Sequence, residues 1–356
     1  LYTVCKRRLC VHRFAAPAIL QGSMGRWPAA GLALCAALSS LSLYERAFTS
    51  GGLPQRRAGR PLRAEEANAP PPAEGSPALT KEELDILQEA ASRGDAESMT
   101  ILGRMLLEGD VVEADTDKAV QYFLKAAEQG DKDGQYNLGM LLISGNGVPV
   151  DVQEGAFWLE KAADQGMALA QYFYAVTCLQ EGVEGDEEKA ARYMKSAAES
   201  GIPDAQYAHG MILLAAQDFE WAAHWLNQAA QEGDSRAQYQ IARMFLYGTG
   251  LPPDEATAAQ WASSAANSGL KEAQYLMGTM LLAGQGVEQN MEWAAHWFEQ
   301  AALQGHADAQ YNLGLMLESG DGVAEDKEKA AYWLEKAGEQ GDDEAARTSA
   351  ELRGAA

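Results

Sequence analysis

Residues 131–166 read DKDGQYNLGMLLISGNGVPVDVQEGAFWLEKAADQG, and nearly everything after them is a copy. The segment GMLLISGNGV at 139–148 returns as GTMLLAGQGV at 278–287 and as GLMLESGDGV at 314–323. Each copy leads to an aromatic residue: Tyr122, Trp158, Tyr193, Trp225, Trp261, Trp297 and Trp333, at steps of 36, 35, 32, 36, 36 and 36 residues. A period of this length identifies stacked supersecondary units, each too small to bury its own apolar face.

The recurring positions assign two helices to each unit. Helix A opens near Ala-Gln-Tyr, as at Ala170-Gln171-Tyr172 and Ala273-Gln274-Tyr275, and three residues after the Tyr comes Gly103, Gly139, Ala175, Gly210, Ala242, Gly278 or Gly314. A mid-helix glycine costs about 1 kcal/mol relative to alanine, so its recurrence implies that another helix approaches closely there. An apolar residue three further on (Leu106, Leu142, Leu213, Phe245, Leu281, Leu317) completes the stripe, and glycines such as Gly145, Gly284 and Gly320 end the helix. Helix B opens at Asp115, Asp151, Asp186, Asp218, Asp254, Asn290 or Asp326, short acceptors suited to an N-cap. It carries the aromatic and then Ala-Ala, as at Ala162-Ala163, and stops at Gly130, Gly166, Gly201, Gly233, Gly269, Gly305 or Gly341. Asp131, Asp234 and Asp342 are placed to cap the next helix A.

The units so defined are 95–130, 131–166, 167–201, 202–233, 234–269, 270–305 and 306–341. A capping box of Thr80 and Glu83 opens a first capping helix over 79–94, and 342–356 supplies a second one at the other end. Unit 167–201 departs from its neighbours at Tyr174, Ala175 and Cys178, and unit 202–233 lacks the Gly-x-Gly-Val loop.

Charge divides the chain. Of 356 residues with net charge −23, the first 63 carry about +9, which leaves −32 on the remainder. An acidic body repels phosphate backbones, so nucleic acid is not an expected partner, and basic or neutral protein surfaces are. The segment from Met24, with Arg26 and the Ala/Leu/Ser-rich run 29–43, reads as a signal h-region, and 48–63, with Arg56, Arg57, Arg60 and Arg63, reads as an organelle transit segment. A two-part plastid leader over 1–63 is the expectation, with a secretory signal (ER lumen or secretion) and a mitochondrial presequence as alternatives. The Pro-rich stretch within 64–78 reads as a linker. Cys5, Cys10 and Cys35 precede the repeats and only Cys178 lies in them, so no internal disulfide is expected there. No stretch beyond residue 64 is long and apolar enough to span a membrane.

The pattern resembles the Sel-1-like repeat family, a relative of the tetratricopeptide repeats, whose repeat runs A-x-x-x-L-G-x-x-Y-x-x-G-x-G-V-x-x-D-x-x-K-A-x-x-W-x-x-K-A-A-x-x-G. Residues 131–166 and 306–341 match it closely, and the resemblance extends over 95–341. It implies an all-α fold, a right-handed superhelical α/α solenoid of about seven helix-turn-helix repeats with capping helices and a concave face lined mainly by A helices. It also implies a non-catalytic scaffold or adaptor that binds proteins or peptides. A transient assembly factor or chaperone for organelle complexes is an alternative. Hydrolysis of the β-lactamase-like kind is another, since some family members carry that name.

Catalytic and cofactor motifs are not recognisable. His209, His224, His296 and His306 are scattered without metal-ligand spacing, and the glycine pairs belong to hairpin loops, so no metal and no cofactor is expected. Ser196 follows Lys195 and Ser263-Ser264 has no nearby Lys, so no Ser-x-x-Lys nucleophile is formed. His209 stands where Leu138 and Leu313 stand and reads as a core histidine. Cys178 replaces a recurrent Leu and reads as a small core hydrophobe. Acids such as Glu181, Glu184, Asp186, Glu187 and Glu188 read as a solvated face.

The departure most suggestive of function is EWAAHW, at 220–225 and again at 292–297. Trp225 and Trp297 are repeat aromatics and read as core. Trp221 and Trp293 occupy the position of Lys118, Lys189 and Lys329. Either they widen the core, since i and i+4 share a helix face, or they are exposed aromatic anchors for a partner, with His224 and His296 beside them on the helix surface.

Overall fold

A computed structural model describes residues 81–109, 112–179 and 187–354. The expected leader and linker, Thr80, and the acids Glu181, Glu184 and Asp186 lie outside them. Among the described residues there are sixteen α-helices and no strand.

The chain divides into two compact units at Ala205/Gln206. The first contains α1 (Lys81–Ser92), α2 (Ala96–Glu108), α3 (Thr116–Glu128), α4 (Lys132–Ser144), α5 (Val152–Asp164), α6 (Ala168–Cys178) and α7 (Glu187–Glu199). The boundary falls within α8 (Pro203–Ala215), in the repeat that lacks the Gly-x-Gly-Val loop. The second unit continues with α9 (Phe219–Gln231), α10 (Ser235–Tyr247), α11 (Glu255–Asn267), α12 (Lys271–Ala283), α13 (Met291–Leu303), α14 (Ala307–Ser319), α15 (Lys327–Glu339) and α16 (Asp343–Gly354). Within each unit, packing runs from one helix to the next in chain order, which is the construction of a helical solenoid.

Local chemistry sets the helix ends. Asp115, Asp151, Asp218, Asp254, Asn290 and Asp326 each accept a backbone N–H of the first turn of a B helix. Asp131, Asp234 and Asp342 do the same for A helices and for α16. These bonds favour the ionised cap: Asp254 is held below the usual carboxylate range by the hydroxyl and N–H of Thr257. A helices stop where Gly145, Gly284 or Gly320 turns left-handed at φ of 69°, 73° and 74°.

The shortened repeat keeps the same closure with fewer residues. Elsewhere the B-helix cap returns a backbone bond to helix A, as from Asp151 N to Leu142 O (2.9 Å) and from Asn290 N to Leu281 O (3.0 Å). In unit 202–233 Asp218 N reaches Leu213 O at 2.9 Å directly, and Gln217, at φ 63°, takes the left-handed turn that glycine makes in the other loops.

The core is centred one residue past the repeat aromatic. Phe123, Leu159, Met194, Leu226, Ala262, Phe298 and Leu334 are all completely buried. Trp225 is buried too, whereas Tyr122, Trp158, Tyr193, Trp261, Trp297 and Trp333 are half-buried at the margin. The expectation that Trp297 is core is corrected to this marginal position. The small residue of helix A faces the central residue of helix B. A Cβ on Gly278 would stand 2.7 Å from Phe298 Cε1, and one on Gly314 2.6 Å from Leu334 Cγ. The close approach inferred from the glycines is this contact. Where alanine replaces the glycine, as at Ala175 and Ala242, the opposing residue is the flexible Met194 or the small Ala262.

Two further readings are corrected. Cys178 is half-buried, and so are Leu106, Leu142, Leu213 and Phe245 of the same row, while Leu281 and Leu317 are buried, so the row runs along the edge of the core. His209 is half-buried against Trp225 (5.5 Å, edge-to-face), which keeps the imidazole near water and avoids burying its polar atoms without partners.

Candidate partner-binding surface

Both EWAAHW segments lie in B helices of the second unit, on α9 and α13. The helix start fixes them. Asp218 accepts from Trp221 N (3.4 Å) and Asn290 from Trp293 N (3.0 Å), which places each tryptophan in the first turn. The alanines that follow face inward: Ala222 and Ala294 are completely buried. With about 100° between successive residues, Trp221 stands about 140° around the helix from the core residue Leu226, and Trp293 has the same relation to Phe298. Both side chains project into solvent, at 56% and 55% exposure. They are exposed aromatics and do not widen the core.

His224 and His296 are exposed beside them. The His224 ring lies edge-to-face between Trp221 (5.5 Å) and Trp225 (5.3 Å), and His296 lies likewise between Trp293 (5.4 Å) and Trp297 (5.5 Å). Each helix therefore presents a Trp–His–Trp ladder with a flanking carboxylate, Glu220 or Glu292. The intervening helix, α11, carries Thr257 and Gln260 at the corresponding positions, so the ladders are separate features two repeats apart. The row of Lys118, Lys189 and Lys329 that these tryptophans share is mostly solvent-facing: Lys118 and Lys329 are exposed and pair with the caps Asp115 and Asp326. Lys189 is the exception, half-buried between Glu160 (2.6 Å) and Asp164 (3.0 Å).

The sequence reading missed Phe157 and Tyr332. Each precedes a repeat aromatic, is 48% exposed, and stands edge-to-face on it, Phe157 on Trp158 (5.2 Å) and Tyr332 on Trp333 (5.1 Å). His224 and His296 hold the same register, and that register is the signal that could have found them.

A catalytic arrangement at the serines does not form. Lys195 pairs with Glu199 at 3.7 Å, Ser196 accepts from Ser200 through its backbone carbonyl, and Ser263 Oγ accepts from Asn267 at 3.5 Å. Among the described residues no cluster of His, Cys, Asp and Glu is placed to hold a metal ion, and no helix is long and apolar enough to cross a membrane.

A model described as the Sel1 repeat matches residues 96–131, 132–167, 168–202, 203–234, 235–270, 271–306 and 307–342. A protective antigen present in uropathogenic Escherichia coli strains, displaying an SLR fold, has a similar crystal structure, with a TM-score of 0.70 and 31% identity. That similarity covers 76% of this chain and 59% of the antigen, so the chain spans less than two thirds of its length. The crystal structure of a Sel1 repeat protein from Oxalobacter formigenes is similar at a TM-score of 0.63 and 37% identity, over 76% of this chain and 80% of that one. No curated protein matches.

Proposed function

The chain belongs to the Sel1 repeat family, and from that premise we propose that it is a non-catalytic adaptor whose second unit docks a partner protein on Trp221 and Trp293. Proteins of this family are in general protein-interaction scaffolds. The observation that carries the finer reading is the paired exposure. Two of the largest apolar side chains stand more than half in water at one repeat position, each braced by a histidine. Exposing indole has a solvation cost with no return in folding, whereas tryptophan is over-represented among residues that dominate binding energy. Glu220 and Glu292 beside the rings, on a body of net charge −32, favour a partner with basic or neutral contact residues. A Lys or Arg of that partner could lie over an indole face.

The test is co-purification from the native source, comparing wild type with Trp221→Lys/Trp293→Lys after both are shown to melt alike. Stoichiometric capture of one partner by wild type and its loss with the variant supports the reading. Equal capture by both moves the interface elsewhere. Since no catalytic role is proposed, a chromogenic β-lactam should stay unhydrolysed.

A further inference from the structure

Helix α10, SRAQYQIARMFLY, differs from the other A helices of its unit. Its inward face is ordinary: Ala237, Gln238, Ile241, Ala242 and Met244 are buried. Its other face carries Arg236, Tyr239, Gln240, Arg243 and Tyr247, whose spacings of three and four residues form one stripe. Arg236 is settled: its guanidinium lies over the Tyr207 ring (4.5 Å to the centroid), and its Nε donates to Asp234 at 3.1 Å.

Arg243 is not settled. It occupies the register of Met211, Thr279 and Leu315, so a guanidinium stands in a row that, in this unit, is otherwise buried or half-buried and uncharged, whereas Arg104 at the same register of the first repeat is exposed. It leans on the Tyr239 ring at 5.6 Å, and its Nη1 donates a long bond to the Gln240 amide oxygen at 3.4 Å. Its Nε is buried with no hydrogen-bond partner. Among the described residues it makes no ion pair, although acids outnumber bases 51 to 28 in this chain. Burial pushes the Tyr239 hydroxyl up, the adjacent Arg243 guanidinium pulls it down by charge and hydrogen bonding, and Glu272 of α12 is near enough to push it up as well. A half-buried cation without a counter-ion is costly unless an anion completes it, and a guanidinium binds carboxylate through two parallel bonds. Beside it Tyr247 is 47% exposed, where the other A helices of this unit have Ala215, Ala283 and Ser319.

We propose that this stripe is a docking site for one Asp or Glu side chain of a partner protein, set among uncharged apolar residues. The carboxylate pairs with Arg243, and its apolar neighbours cover Tyr239 and Tyr247. Charge selects for a single acid. On the stripe itself there is one cation left to satisfy, since Arg236 is paired with Asp234, while the strongly acidic body repels polyacidic segments and nucleic acid alike. The site lies on an A helix, whereas the tryptophan ladders lie on B helices, so it does not depend on them.

The test uses the full chain as bait for a phage library of random dodecapeptides fused through their C-termini, so that side chains are the only carboxylates offered. The recovered consensus is expected to hold one Asp or Glu bordered by aliphatic or aromatic residues. A synthetic N-acetylated, C-amidated peptide of that consensus should lose about tenfold in affinity when its acid becomes the amide, the scale of one charge-assisted pair. Arg243→Met, which installs the residue found at position 211, should cause the same loss, and the two changes together should cost little more than either alone. The peptide-side substitution reads the pair without any change to the protein. Trp221→Lys/Trp293→Lys should leave the affinity unchanged, which separates this site from the proposed partner surface. A consensus without an acid, equal binding of acid and amide peptides, or Arg243-dependent binding of a single-stranded oligonucleotide in its place would overturn the proposal.

Discussion

Replacing Gly278 by alanine tests the packing rule that relates each A helix to its B helix. A glycine-to-alanine change inside an unconstrained helix stabilises by about 1 kcal/mol. Here the new methyl would meet Phe298 at 2.7 Å (Cε1), 2.8 Å (Cδ1) and 3.1 Å (Cζ). The ring is completely buried and has Tyr275 against it at 5.8 Å, so it has little room to retreat. Overpacking of this kind costs about 1–3 kcal/mol. The net expectation for Gly278→Ala is therefore a loss of about 0–2 kcal/mol. Combined with Phe298→Met, which copies the Ala175–Met194 pair, the clash is relieved and the helix preference is recovered. The double-mutant cycle should give a favourable coupling of about 1–2 kcal/mol. Urea denaturation of the four proteins measures it. A Gly278→Ala variant more stable than wild type by about 1 kcal/mol, or a coupling near zero, would refute the close-approach reasoning.

Three other outcomes are expected. His306 caps α14 through Nδ1, which accepts from Ala309 N at 3.4 Å, and its ring stacks on Tyr275 at 4.5 Å. Burial lowers its pKa, so the unfolded chain takes up a proton first: stability is full above about pH 6.5 and is lost as pH falls from there toward the folded-state value. His306→Asp, the cap used at 131, 234 and 342, should remove that part of the slope in urea midpoints taken between pH 7 and 5. Gln238 Oε1 is buried with no donor, while Gln135, Gln274 and Gln310 accept at 2.8 Å from Gln165, Gln304 and Gln340. Ser268 holds the corresponding donor position, so Ser268→Gln should raise stability by about 0.5–1.5 kcal/mol, and an unchanged melting curve would count against the ladder. Gln217→Gly relieves a left-handed residue at φ 63° and should stabilise by about 1 kcal/mol, read by the same melt, whereas Gln217→Val should destabilise.

Caps and stops were legible because their chemistry is local: an Asp or Asn at Asp115 or Asn290 needs only its own first turn. Glycine at Gly278 announced a close contact without naming its partner. The conspicuous aromatic of that repeat is Trp297, but Phe298, one residue later, is the one sealed in. Half-burial of the repeat aromatics suits their amphipathic rings, and it moves the centre of the stripe by about 100°. That rotation also decides Trp221 and Trp293. Measured from Trp225 they share a face with the core, but measured from Leu226 they point into water. The role of the glutamine in Ala-Gln-Tyr was hidden for another reason. Gln274 donates to Ala266 O (3.3 Å) in the preceding repeat and accepts from Gln304 at the far end of its own, so its partners become visible only when the helices are packed and the repeats stacked. Arg243 was unremarkable in sequence, because only the burial of its neighbours in the same row shows that its charge is out of place.

Site-specific photo-crosslinking addresses the central claim most directly. A benzophenone amino acid is placed at position 221, at 293, and as a control at 261, where the repeat aromatic is half-buried, and each protein is irradiated with the partner captured by wild type. We expect covalent capture of that partner at 221 and 293 and none at 261. Crosslinks that avoid both tryptophan positions, or that form equally at all three, would contradict an adaptor surface built on Trp221 and Trp293.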